Sequence, residues 1–262
     1  MFTSKKWYSK CTMRQKYETD LTDEQWDVIA PLFSNMRKYK WDKRELVNAV
    51  LYLVKTGCHW RNLPHDFPPV FTVHSFYRRA RLNGLWDKIL QHLVKLTRQK
   101  AGLSEEPTQA LIDSQSVKTT GAVDQKGFDV GKKRVKRQTV TDDIDCLLAV
   151  TIHKANLHDT KMGYWVTGLA TFTYPSLKKI CADGGYRCSF VYEAYKYFGL
   201  RVEISKKLKG CGWQVLAKRW IVERTFSWLN HSRRLSKDYE LTAASAEALI
   251  KISHIHTLLN RL

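Results

Sequence analysis

The period of the hydrophobic pattern changes once along this chain, near residues 102–107, and that change restricts the folds open to it. Up to about Lys100 apolar residues recur every three to four positions, the spacing of helices with one buried face. Beyond Pro107 short apolar runs are separated by polar turns, as in strands set between helices. An all-helical bundle does not suit the second half, nor an all-β fold the first. Gly102-Leu103-Ser104-Glu105-Glu106-Pro107 reads as the linker. The chain thus divides into a basic extension (1–19), a helical region (20–104) and a mixed region (105–262).

The helical region can be read turn by turn. Thr22 with Gln25 fits a capping box, and Trp26, Ile29, Ala30 and Phe33 follow at helical spacing. A second helix starts near Trp41-Asp42, puts Leu46, Ala49, Val50, Leu53 and Val54 on one face and ends at Gly57. A third is predicted over 70–82, and Asn83-Gly84 turns it into a fourth over 85–100. Opposite the apolar face of the third stand Arg78, Arg79 and Arg81. Short helices, a tight turn and an arginine face suit a helix-turn-helix module on DNA. They suit a plain bundle with a solvated basic face equally.

In the mixed region Ala110-Leu111-Ile112 reads as a buried strand ending at Asp113, and 137–141 with 146–153 as a hairpin. A helix over 159–171 follows, then a strand over 177–182 stopped by Asp183-Gly184-Gly185. A helix (189–198), a strand (200–204) and two helices (215–229 and 243–259) complete an α/β pattern.

Lys and Arg number 44 against 25 Asp and Glu, a formal charge of +19 that opposes folding unless a polyanion neutralises it. The excess is spread out, with 19 basic and 9 acidic residues to Ser104 and 25 and 16 after it, so both halves are expected to meet nucleic acid. The run Lys132, Lys133, Arg134, Lys136 and Arg137 is either a clamp on the DNA backbone or a solvated hairpin arm.

A hydrophobic content of 44% excludes a disordered chain, and no apolar run approaches the roughly 18 residues of a membrane helix. Six cysteines (11, 58, 146, 181, 188 and 211) without a C-x-x-C pair read as reduced thiols of a cytoplasmic protein. His153, His158 and Asp159 read as structural. Of Trp41, Trp60, Trp86, Trp165, Trp213, Trp220 and Trp228, most belong to the core. Trp220 and Trp228 lie off the Val222, Phe226, Leu229 stripe, which leaves one of them to face DNA or a second subunit.

Three acids stand at or near element ends: Asp113, then Asp183 70 residues on, then Glu223 after a further 40. Alone, each has an ordinary reading as a strand-end cap, an Asp-Gly turn, and a partner for Arg219. Together they form a set of hard oxygen ligands. Two carboxylates about 4 Å apart repel by ~4 kcal/mol at an effective dielectric near 20, so three in one pocket call for divalent cations or raised pKa values. Two magnesium or manganese ions there would suit in-line phosphoryl transfer.

Three blocks carry a resemblance: Ala110-Leu111-Ile112-Asp113-Ser114-Gln115-Ser116-Val117-Lys118, Ala182-Asp183-Gly184-Gly185-Tyr186-Arg187, and Arg219-Trp220-Ile221-Val222-Glu223-Arg224-Thr225-Phe226-Ser227-Trp228-Leu229. They closely resemble the DDE transposases of bacterial insertion sequences, in the insertion-sequence-five-like group. Leu21-Thr22-Asp23-Glu24-Gln25-Trp26 is similar to that group's helical opening. The resemblance implies a ribonuclease H-like catalytic domain after a helix-turn-helix-like all-α domain, with Asp113, Asp183 and Glu223 as catalytic and metal-binding acids and Arg219 near phosphates. It also implies cleavage and strand transfer at the ends of the element and in target DNA by at least a homodimer, in a bacterial cytoplasm at the nucleoid. No organic cofactor and no membrane partner are expected. Leu216, Asn230 and Gln138 depart from residues that relatives often carry. A non-catalytic DNA-binding relic or repressor, and a metal-dependent nuclease without strand transfer, are the competing readings.

Overall fold

The computed structural model describes residues 14–120, 127–129, 132–205 and 219–262. Cys11, Cys211, Trp213 and Leu216 lie outside it, as do the side chains of Lys132, Lys133 and Arg219.

The capping box forms as read. Thr22 Oγ1 accepts the Gln25 N–H at 3.2 Å and Gln25 Oε1 accepts the Thr22 N–H at 3.1 Å, starting α1 (Asp23–Ile29). Pro31 then converts the chain to a 3-10 turn, Ala30–Phe33. Asp42 caps α2 (Lys43–Thr56) through the Arg44 N–H, and Gly57 ends it at φ 71°. Only glycine suits that end comfortably, because a Cβ there would also sit 3.1 Å from the Arg233 backbone. Helices α3 (Val70–Leu82) and α4 (Leu85–Lys100) follow on either side of Asn83-Gly84.

The sheet contains β1 (Gln109–Lys118), β2 (Gly127–Asp129), β3 (Lys132–Thr141), β4 (Leu147–Lys154), β5 (Lys179–Ala182) and β6 (Arg201–Ile204). Interleaved helices are α5 (Asp159–Thr173) and α6 (Ser189–Phe198), with α7 (Arg219–Asn230) and α8 (Ala243–Leu259) closing the chain. β1 and β4 flank β3 antiparallel, and β1, β5 and β6 run parallel. β2 pairs with β3 on the same side as β4.

Two expectations change here. β1 does not end at Asp113 but runs five residues further, and β3 begins at Lys132 rather than after the basic run. The added ladder is largely polar, Ser114, Gln115 and Ser116 standing opposite Gln138, Arg137 and Lys136, before the buried pair Val117 and Val135. Hydrophobic alternation does not reveal such a segment.

Alternate residues of β3 point to opposite helices. Lys136 and Gln138 bond to Asp159 at the start of α5, whereas Leu111 and Asp113, paired with Thr141 and Thr139, lie on the side of α7. α8 packs on β4 and also on α2 and α4. Buried side chains of the helical region and the sheet form one connected core. Polar ties cross the same boundary: Lys251 to Asp87 at 2.6 Å and Arg98 to Asp142 at 2.7 Å.

His254, on α8, is fully buried, and its Nε2 accepts the Leu147 N–H of β4 at 2.9 Å. Burial, helped by the charge of Arg261, pulls its pKa down to about 3. The folded state therefore holds the neutral ring, while an unfolded histidine titrates near 6.5. The stabilisation is complete above that pH and is lost as the pH falls toward 3. Between pH 7 and 5 it should decline by roughly 2 kcal/mol. His254→Gln keeps an acceptor but does not titrate, so its melting temperature should fall less than wild type over that interval. Parallel curves for the two proteins would assign the acid sensitivity elsewhere.

Candidate active site

The parallel pairing of β1 with β5 ends at Leu111 opposite Cys181. Two residues further, each strand path reaches an aspartate, Asp113 and Asp183, and the period of two puts both on the side of Leu111 and Cys181. Both acids line a small pocket of about 20 Å³, together with Ser205 past the end of β6 and Val222 of α7. Ligands in α/β sheets gather at the carboxyl ends of parallel strands, which is where this pocket sits.

Each aspartate is oriented by a local amide. Asp113 Oδ1 accepts the Ser114 N–H at 2.7 Å, and Asp183 Oδ1 accepts the Gly185 N–H at 2.8 Å in a tight turn. A Cβ at Gly185 would crowd that same carboxylate at 3.1 Å. Glu223 stands one residue beyond Val222 and is exposed on α7. Among the described residues no three His, Cys, Asp or Glu side chains lie close enough together to hold a metal ion. Asp113 and Asp183 thus share one pocket, and Glu223 is not among the residues that line it. Two carboxylates suit a hard divalent cation by donor chemistry, with further oxygen ligands needed to fill its shell.

Comparison with known families now bears on these residues. Residues 21–90 match a family described as "Putative transposase of IS4/5 family" and residues 180–259 match "Transposase DDE domain". The chain is 28% identical over 113 residues to "Insertion element IS402 uncharacterized 16.2 kDa protein" of Burkholderia cepacia, covering 39% of this chain and 75% of that one. It is 29% identical over 124 residues to "Putative transposase for insertion sequence element IS402" of the same organism, covering 45% of this chain and 59% of the relative. The chain is thus similar, in two separate segments, to transposases of bacterial insertion sequences, the second segment to their DDE domain. The matched segments take in Asp183 and Glu223, while Asp113 lies between them.

Behind the aspartates the chain carries a buried polar relay that sequence reading missed. Gln138, fully buried, donates to the Tyr186 hydroxyl at 2.8 Å and to the Asp159 carbonyl at 3.0 Å, and its Oε1 lies 3.1 Å from His153 Nε2. Burial, then the charges of Asp113, Asp159 and Asp183, push the Tyr186 phenol up, so it stays protonated. His153 is held toward its neutral form by burial. His158 caps α5 and Asp159 pairs with Lys136 at 2.9 Å, the structural roles expected of them.

The basic run needs correction. Lys136 is tied to Asp159, and Arg137 is 2% exposed, with burial drawing its pKa down to about 10. β3 is an inner strand with neighbours on both sides, so alternate side chains are forced inward under α5 or α7. Neither Lys136 nor Arg137 can serve as an exposed backbone clamp, and Arg134 is half-buried. On α3, Arg78 and Arg79 are exposed while Arg81 is half-buried.

Trp220, 44% exposed, and Trp228 also have an intramolecular task on α7. They flank Arg224 of the same helix, its Cζ 4.4 Å and 5.3 Å from their ring centroids, and Arg261 lies 3.8 Å over Trp228. Arg224 in turn pairs with Asp145, buried at the hairpin turn. The spacing of Trp220, Arg224 and Trp228 by one helical turn each was the available signal.

Gly163 of α5 is the close-approach point over the relay, since a Cβ there would lie 2.8 Å from the Tyr186 ring and 3.2 Å from Gln138 Nε2. Gly163→Ala must displace one of them and should destabilise the protein by about 1–3 kcal/mol. Urea unfolding checks this; an unchanged midpoint would contradict the packing of α5 on Tyr186.

Proposed function

We propose that this chain cleaves DNA at the ends of an insertion sequence and joins them to target DNA, with Asp113 and Asp183 at the centre of a ribonuclease H-like catalytic fold and Glu223 as the third acid. The observation that carries the reading is the shared pocket at the ends of neighbouring parallel strands. Antiparallel β4, β3 and β1 followed by parallel β5 and β6 supports the fold assignment.

In this reading Asp113 and Asp183 would hold magnesium or manganese, one or two ions, with Glu223 completing the set from α7. Bound there, such an ion lowers the pKa of an attacking water or hydroxyl and stabilises a leaving oxygen. The protein's own part is positional. The Ser114 and Gly185 amides fix one oxygen of each aspartate. Tyr186, kept protonated beside both acids, adds no competing charge.

Asp113→Asn, Asp183→Asn and Glu223→Gln should each abolish cleavage of labelled element ends in magnesium while leaving DNA binding intact. Wild-type cleavage by any one of them removes that residue from the site. Cleavage by wild type without joining to a target plasmid would reduce the reading to a nuclease, and binding with neither step to a repressor.

A homodimer is the assembly proposed for an enzyme acting on two DNA ends, and α5 and α6 offer its face. Trp165, Leu169 and Phe172 recur at helical spacing on α5 and are 63%, 49% and 89% exposed. Through Tyr164 the rings continue to Tyr197 of α6, at 6.2 Å and 5.8 Å. The charges on these two helices cancel, Asp159 with Lys161 and Glu193 with Lys196, although the whole chain carries +19. DNA gains nothing from such a face, whereas a second copy equally positive overall can approach there without repulsion. Replacing Trp165 and Phe172 together by Glu should convert a dimer to a monomer in sedimentation velocity. A wild type that is monomeric at micromolar concentration would discard this face.

A further inference from the structure

A second site lies on the helical region, where the loop after α1 meets the start of α3. A recess of about 340 Å³ is lined by Arg37, Lys38, Lys40 and Arg79, and among the described residues no carboxylate lines it. Thr72 and Ser75 add hydroxyls to the same wall. Arg37, Lys38 and Arg79 have no ion pair among the described residues. Several cations elsewhere are neutralised at short range, among them Arg44 by Asp23, Arg98 by Asp142 and Asp143, and Arg234 by Glu240. Gathering Arg37, Lys38 and Arg79 around one opening costs Coulomb energy that an anion would remove.

Two further features give the anion its setting. α3 starts after Pro69 with no side chain capping its first turn, and Phe71 and Thr72 of that turn line the recess, so the positive end of a 13-residue helix lies beside it. Phe71 is 83% exposed beside the cations, where an apolar ring has no partner within the described fold. A free phosphate would use the cations but not the ring. A nucleic acid uses both, its phosphate in the recess and a sugar or base edge, such as a thymine methyl, against Phe71.

The geometry points to a phosphodiester-binding site for duplex DNA in this recess, which orients α3 with its N-terminal half, not only its Arg78–Arg79 end, toward the groove. The inference rests on the reading of the chain as a DNA-acting enzyme. It assigns the loop residues Arg37 and Lys38 to the backbone and Phe71 to the groove.

Fluorescence anisotropy of the full chain with a labelled random-sequence duplex, titrated between about 50 and 200 mM salt, tests it. For the double variant Arg37→Gln, Lys38→Gln the slope of log affinity against log salt should shrink by about 1.8, or 0.9 for each lost phosphate contact. Phe71→Ala removes no charge, so it should weaken binding at least about fivefold with the wild-type slope. Lys88→Gln, on the exposed side of α4, should leave the slope unchanged. Circular dichroism of each variant verifies the fold, since all four side chains are exposed. A double variant with the wild-type slope, or a Phe71→Ala protein with wild-type affinity, overturns this site while DNA binding itself stands. Wild type with no affinity for duplex in low salt would instead overturn the parent reading.

Discussion

The pairing of Leu111 with Cys181 sets the relation between the two aspartates on which the proposed chemistry depends. Because side chains alternate along a strand, a slip of one residue in either strand would send one aspartate through to the α5 side of the sheet and leave the other facing α7. Several contacts prevent that slip. Ala110, Leu111, Ile112, Ile180 and Cys181 are buried, Lys178 and Lys179 both donate to the Thr108 carbonyl, and β6 repeats the same parallel register on the far side of β5. The polar extension of β1 adds a second guarantee, since seven further residues of that strand pair with β3 from Ile112 onward. The register therefore rests on an apolar half and a polar half, and the pocket lies at their junction.

Position of the carboxylates then depends on what holds the helices to the sheet. Asp142, at the hairpin turn between β3 and β4, is fully buried yet satisfied: it accepts from Arg98 of α4 and from the Ile144 and Cys146 amides. Removing the charge of Arg98 would leave a buried carboxylate with amides alone, a loss typically larger than the net worth of the intact pair. Three residues on, Asp145 takes Arg224 from the helix that carries Glu223. One turn of the hairpin thus anchors both the helical region and α7. Asp145 occupies a left-handed conformation, φ 67°, uncommon for a residue other than glycine, in reaching that partner.

Most of the elements were legible in the sequence because their signals are local. The Thr22 box, the Asp42 cap, Gly57 and Asn83-Gly84 each satisfy or terminate a backbone segment within four residues, and all delimit helices as read. Asp113 and Asp183 were legible as a pair because strand order implies neighbouring ends. What local patterns do not encode is which side of an element faces the protein. α7 turns Ile221, Val222, Thr225, Phe226 and Leu229 inward, which leaves Glu223 at the surface. The charge run from Lys132 reads as an arm because cations seldom sit in an inner strand; there Asp159 receives Lys136, and Arg137 stands opposite Gln115 of β1. The Gln138 relay and the Arg37–Lys38 recess join residues distant in sequence, and no periodicity announces them.

The formal charge of +19 accordingly overstates some faces and understates others. Arg98, Lys136 and Arg234 are each matched to acids inside or near the core, and Arg137 is enclosed altogether, so none of these contributes much to the field seen by an approaching polyanion. α5 and α6 contribute no net charge at all. The unmatched cations that remain near the start of α3 are therefore a larger share of the accessible charge than their number suggests. The pocket of Asp113 and Asp183 belongs to the same connected structure, since the buried side chains of the helical region and the sheet form one core. Shared packing through α8 makes the relation between those two places a property of the fold and not of the linker at residues 102–107.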